Sequence, residues 1–132
     1  MSYESKSIVF AKSEDFAMRI IKLYKYLTEK KKEFIISKQI FRSGTSIGAN
    51  LAESVYSVSD SDFINKHSIS QKECSETLYW LRLLKKSDFI TEKQFNDIYK
   101  DANEIGKMLA SVIKTMKTKR KTNTSYFIPH TS

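Results

Sequence analysis

The chain has 132 residues and a mass of 15.4 kDa, one domain's worth, and its 40% apolar and 29% charged residues suit a globular rather than a disordered protein. Three glycines and one proline are too few for the many tight turns of a sandwich or barrel. A single cysteine, Cys74, excludes an intrachain disulfide and a cysteine-based zinc site.

Helix-period apolar spacing runs through almost the whole chain. Residues 1–12 read as an N-terminal extension, and the first helix is expected to begin near Ser13, with Glu14 and Asp15 favoured by the dipole in its first turn. Phe16, Ile20, Leu23 and Leu27 form its stripe, and Lys30, Lys31 and Lys32 close it. The second segment takes Ser37 as its N-cap, with Ile36 and Phe41 spaced as a hydrophobic staple. Ile40, Ile47, Leu51 and Val55 carry its apolar face. The third repeats the device with Ser59 as cap, Asp62 at the third position and Val58 spaced to meet Phe63, and it ends around Lys85–Ser87. The fourth starts on a capping box, Thr91 with Gln94, and pairs Ile90 with Phe95. Phe95, Ile98, Ala102, Ile105, Leu109, Val112 and Met116 then make an unbroken heptad seam.

Short connections make successive helices antiparallel, so residues 13–117 predict an all-α, up-down-up-down four-helix bundle. Residues 118–132 carry Lys119, Arg120, Lys121 and Pro129 and read as a basic, mobile tail. With no charged-then-apolar leader and no run of 18 apolar residues, the expected compartment is the cytoplasm, with no membrane contact.

Several strings suggest chemistry and fail on context. Gly44-Thr45-Ser46-Ile47-Gly48 matches the G-x-S-x-G nucleophile elbow, but that elbow needs a strand feeding the turn, and this string lies inside a helix. Glu73 and Glu76 lack the histidine partners of a di-iron bundle site. His67 and Cys74 are two helical turns apart, about 10 Å, too far for a dyad. The expectation is no catalytic site, no metal and no cofactor.

Other features read as structural. Ser43, Gly44, Thr45, Ser46, Gly48 and Ala49 are small and allow close approach by another helix, with Ser70, Cys74 and Thr77 answering from the third. Asn50, Glu53 and Glu76 are candidates for a buried polar layer, with plain exposure as the rival reading. Tyr79, Trp80 and Leu83 form a second apolar stripe beside the core stripe of the third helix, which suggests an oligomer interface.

Gln39–Ser54, QIFRSGTSIGANLAES, followed by Asp62-Phe63 and by SETLYWLRLL at 75–84, resembles a bacterial family. It is the four-helix bundle family first noted as products of intervening sequences in large-subunit ribosomal RNA genes. The pattern R-S-x-x-S-I-x-x-N-x-A-E falls on Arg42, Ser43, Ser46, Ile47, Asn50, Ala52 and Glu53, and E-T-x-x-W-L on Glu76, Thr77, Trp80 and Leu81. Ser54 stands where a glycine is common. That family is similar in turn to the accessory variability determinant of diversity-generating retroelements. The resemblance implies a ring-like homo-oligomer, most simply a pentamer, and a partnership with nucleic acid and a reverse transcriptase.

The charge pattern points the same way. Residues 1–42 carry 10 basic and 5 acidic side chains, residues 43–104 carry 7 and 10, and residues 105–132 carry 6 and none. The topology puts the first and third connections at one end of the bundle. Lys30, Lys31, Lys32, Lys38, Arg42, Arg82, Lys85, Lys86 and Lys93 gather there against Glu29, Glu33, Asp88 and Glu92. Lys119, Arg120 and Lys121 supply a second basic zone at the opposite end. This is an expected RNA- or DNA-binding surface, with few aromatics among the cations and hence dominant phosphate contact. The competing expectation is an oligomeric protein–protein scaffold whose positive charge serves solubility.

Overall fold

The computed structural model of the protein describes residues 3–131, with side chains placed for residues 8–119. Four helices account for nearly all of it: α1 Tyr3–Glu29, α2 Ile36–Ser54, α3 Asp60–Lys86 and α4 Glu92–Thr131. Each packs against the next, and α4 closes the ring against α1. Cross-helix contacts give the register. Tyr24 meets Phe41 and Ile20 meets Gly44 between α1 and α2. Thr77 meets Ser43 and Ser70 meets Ile47 between α2 and α3, and Cys74 meets Ala102 and Lys85 meets Phe95 between α3 and α4. In each pair of helices the residue numbers run in opposite senses, which is the antiparallel up-down-up-down order.

Phe16, Ile20, Leu27, Ile40, Ile47, Leu81, Leu84, Ile105 and Leu109 are fully buried along the axis. Burying each such side chain contributes about 1.5–3 kcal/mol. A smaller cluster of Ile64, Val112, Ile113 and Met116, packed by Phe63, seals the end where α3 begins.

The boundaries show which local signals act. Thr91 and Gln94 form the capping box: Thr91 Oγ1 accepts from Gln94 N at 3.1 Å, and Gln94 Oε1 accepts from Thr91 N at 2.8 Å. Ser59 caps α3 by accepting from Asp62 N at 3.0 Å. Val58, however, is 92% exposed and makes no staple with Phe63.

Helix α2 is capped by Glu33 rather than Ser37. The Glu33 carboxylate accepts from the N–H groups of Ile35, Ile36 and Ser37 at 3.2, 2.9 and 2.7 Å, and the Ser37 hydroxyl donates back to the Glu33 carbonyl at 2.8 Å. One ionised side chain thus serves three donors that an isolated serine cap would leave mostly unpaired.

Two further expectations are corrected. Helix α1 begins at Tyr3, so residues expected as an extension are helical, and Val9 is fully buried. At the other end α4 continues to Thr131, where a tail was expected, because no glycine or proline interrupts the run between Gly106 and Pro129. The small stretch of α2 also divides its work. Ser43 and the Ile47 carbonyl face α3, whereas the two glycines face α1: a Cβ on Gly44 would lie 2.7 Å from Ile20 Cγ1, and one on Gly48 would lie 3.1 Å from Ser13 Oγ.

Both lysine-bearing helix ends, of α1 and α3, turn through a residue with positive φ, Lys32 at 54° and Asp88 at 63°. At Asp88 the turn is a Schellman motif. Phe89 N donates to the Leu84 carbonyl at 2.9 Å and Asp88 N to the Lys85 carbonyl at 3.1 Å, with Phe89 packed on the core that holds Leu84.

Candidate nucleic-acid interface

The connections between α1 and α2 and between α3 and α4 lie at the same end, so Lys30, Lys31, Lys32 and Lys38 from the first approach Arg82, Lys85, Lys86 and Lys93 from the second. Lys30, Lys31, Lys32, Lys38, Arg82, Lys86 and Lys93 are exposed. Among the described residues none of these seven makes an ion pair. Arg42 and Lys85 differ. Arg42 is clamped along the α2–α3 seam by Glu73 at 3.0 Å and by Glu76, and these carboxylates outweigh burial to hold its guanidinium pKa above the ordinary value. Its charge is neutralised within the subunit. Lys85 leans over the Phe95 ring at 4.7 Å and sits 3.9 Å from Glu92. The usable positive surface is therefore the seven exposed cations.

The expectation of few aromatics among these cations is corrected. Lys31 lies over Tyr26 and Arg82 over Tyr79, each 5.9 Å from the ring centroid, contacts of the cation–π kind. Phe34, placed between Lys32 and Lys38, is 58% exposed, and its neighbour Ile35 is 77% exposed. Of the run Phe34-Ile35-Ile36 only Ile36 packs against the core. The signal in the sequence was the apolar run inside a lysine-rich connection. It reads equally as the first turn of an amphipathic helix, which hides it.

Glu33 positions this connection. It is 7% exposed. Burial raises its pKa, but the N–H groups of Ile36, Ser37 and Ile35 and the Ser37 hydroxyl outweigh that and hold the carboxyl below its ordinary range. Of the four acids counted against the lysines, Glu33 is thus turned inward, while Glu29, Asp88 and Glu92 are exposed.

The expected polar layer of Asn50, Glu53 and Glu76 does not form. Asn50 Nδ2 donates to the Ser46 carbonyl of its own helix at 2.9 Å. Glu53 accepts from Lys66 at 3.1 Å on the surface, and Glu76 pairs with Arg42 and accepts from Trp80 Nε1 at 3.2 Å. The buried polar layer is built from hydroxyls instead. Thr77 Oγ1 lies 2.9 Å from Ser43 Oγ, and Ser70 Oγ donates to the Ile47 carbonyl at 2.6 Å, with Ser43, Ser70 and Thr77 all fully buried. Carboxylates resist that dehydration, whereas a hydroxyl meets it with one or two hydrogen bonds.

The second basic zone falls only partly within the described side chains. Lys119 is exposed and lines a cavity of about 600 Å³ with Phe10, Leu51, Phe63, His67 and Met116. The side chains of Arg120 and Lys121 lie outside the described residues.

Cys74 is buried, its thiol donates to the Ala102 carbonyl at 3.1 Å, and burial pushes its pKa up to about 11. Ser46 of the G-x-S-x-G string donates to the Arg42 carbonyl within helix α2. Among the described residues no group of three or more His, Cys, Asp or Glu is placed to hold a metal ion. Among them, too, no helix is long and apolar enough to cross a membrane.

The motif residues converge on one seam. Arg42 reaches Glu76, Ser43 reaches Thr77 and the Ile47 carbonyl reaches Ser70, all between α2 and α3. The 23S rRNA-intervening sequence protein family matches residues 5–111. The chain belongs to that family. A crystal structure of a protein with unknown function from the S23 ribosomal protein family, from Bacteroides thetaiotaomicron VPI-5482, is similar to it at 51% identity. The match has a TM-score of 0.82 and covers 83% of this chain and 98% of that one. Among curated proteins none matches. The comparisons thus bring the bundle and the family without an activity.

Proposed function

We propose that this member of the 23S rRNA-intervening sequence family is a non-enzymatic, homo-oligomeric bundle that binds nucleic acid through its lysine-rich end. The observation that carries the reading is the convergence of two connections presenting seven exposed cations, with the nearest buried acid, Glu33, turned inward. Such a surface grips phosphates rather than base edges, so binding is weakly sequence-selective and strongly salt-dependent. The family name, attached to ribosomal RNA intervening sequences, makes RNA the first probe.

Assembly of about five copies of the 15.4 kDa chain would repeat this end around one rim. The half-exposed flank of Tyr79 and Trp80 beside the Arg42–Glu76 pair supports self-association. In that role the ring serves as an accessory to a nucleic-acid enzyme, such as a reverse transcriptase. The same flank favours the second reading, a protein–protein scaffold without nucleic acid. Titrating fluorescent RNA and DNA at about 50 and about 200 mM salt separates the two. Tight binding at low salt that collapses at high salt supports the proposal; undetectable binding at low salt rejects it in favour of the scaffold.

A further inference from the structure

We propose that the α1–α2 connection is a base-stacking tip, so that the nucleic acid recognised at this end is single-stranded. This rests on the reading of the lysine-rich end given above and adds the class of ligand. Phe34 is 58% exposed although large and aromatic, and Lys30, Lys31, Lys32 and Lys38 flank it in the chain. Exposed aromatic faces set among cations are the arrangement by which proteins hold unpaired strands: a ring stacks on a base while lysines follow the phosphates. A duplex hides its base faces within the stack and offers Phe34 nothing but backbone.

The tip is held rather than loose. Glu33, the residue before Phe34, is buried, and its carboxylate ties down the N–H groups of Ile35, Ile36 and Ser37. Its backbone N–H in turn reaches the Leu27 carbonyl at 2.9 Å. Phe34 therefore leaves a fixed point between the ends of two helices, which lowers the entropy lost when a base stacks on it.

The test compares Phe34→Ala, Phe34→Trp and the parent protein on labelled single-stranded RNA, on the corresponding duplex and on vesicles of anionic phospholipid. Because the Phe34 ring is mostly outside the core, circular dichroism and light scattering should show fold and assembly unchanged. The expected result is a loss of about 5- to 100-fold in single-strand affinity for Phe34→Ala, little change on duplex, and recovery with Phe34→Trp. Equal single-strand affinity of parent and Phe34→Ala overturns the tip while leaving phosphate binding intact. Absence of any RNA binding by the parent overturns both readings. Vesicle binding that Phe34→Ala abolishes, or a fall in assembly mass, with single-strand binding preserved assigns the tip to lipid or to a second copy and also overturns the inference.

Discussion

Ser43 and Thr77 meet hydroxyl to hydroxyl at 2.9 Å, both fully buried between α2 and α3. The Thr77 hydroxyl also lies 2.8 Å from the Glu73 carbonyl, so the pair is anchored in the backbone of α3. Just outside it Arg42 spans Glu73 and Glu76. The most recognisable part of the sequence is thus a clasp between two helices, dry inside and ionic outside. It specifies packing, and the candidate binding residues lie elsewhere.

Thr77→Val keeps the shape and removes the hydroxyl, leaving Ser43 only the Ile40 carbonyl at 3.5 Å. The expected cost is about 1–3 kcal/mol. Ser43→Ala and Thr77→Val together should lose less than the sum of the two single changes, since neither partner is then stranded. Denaturant unfolding of the four proteins measures this, and strict additivity would show that the hydroxyls do not interact.

Glu33 sets the acid limit of the connection. Its folded pKa is depressed, so its contribution is present above the unfolded value near 4.3 and is lost as pH falls through the lower, folded value. Glu33→Ala is therefore expected to be less stable than the parent by about 1–2 kcal/mol at pH 7. The gap should narrow as pH falls below the unfolded value and through the lowered folded one. A gap that stays constant down to pH 3 would show that the carboxylate charge is immaterial.

Gly44 is required by space. Alanine there gains about 1 kcal/mol of helix propensity but drives its Cβ to 2.7 Å from the fully buried Ile20. Overpacking of this kind costs about 1–3 kcal/mol, and net destabilisation is expected. Adding Ile20→Val should recover part of it. A lone Gly44→Ala protein that melts higher than the parent would show that Ile20 moves aside freely.

Asp88 holds a left-handed conformation that glycine adopts without strain, and it places an anion at a helix C-terminus. Asp88→Gly is expected to stabilise the protein by about 0.5–1 kcal/mol, read as a rise in melting temperature. A fall would mean that the Asp88 side chain makes a compensating contact.

Particular residues show what was legible in the sequence. The starts of α3 and α4 were readable because Ser59, Thr91 and Gln94 act within one turn of the helices they cap. The start of α2 was not, because Glu33 works from outside the helix through a fold of the connection. The true start of α1 is hidden because Ser13, a polar residue, occupies a core position between Val9 and Phe16 and breaks the apolar stripe. There it lies under Gly48, where only a small side chain fits. A polar layer was anticipated, but its members were exchanged: long carboxylates at the seam's edge reach solvent and cations, and short hydroxyls stay inside. The lysines of the basic end were legible as charge. That Arg42 is neutralised internally, and that Phe34 stands outward, depends on packing the sequence does not display.

In the proposed function, exposed lysines at the joined connections neutralise phosphates. Its most direct test is the salt dependence of RNA affinity for the parent and for the Lys30→Glu, Lys32→Glu, Lys86→Glu triple variant, positions that make no ion pair among the described residues. The parent slope of log affinity against log salt should be steep, about −0.7 to −0.9 per phosphate contacted. The variant should bind more weakly with a flatter slope while keeping the helical circular-dichroism signal of the parent, with some loss of melting temperature from the anions placed at the ends of α1 and α3. Affinity and slope that survive all three reversals in a folded protein would show that these lysines do not bind the nucleic acid.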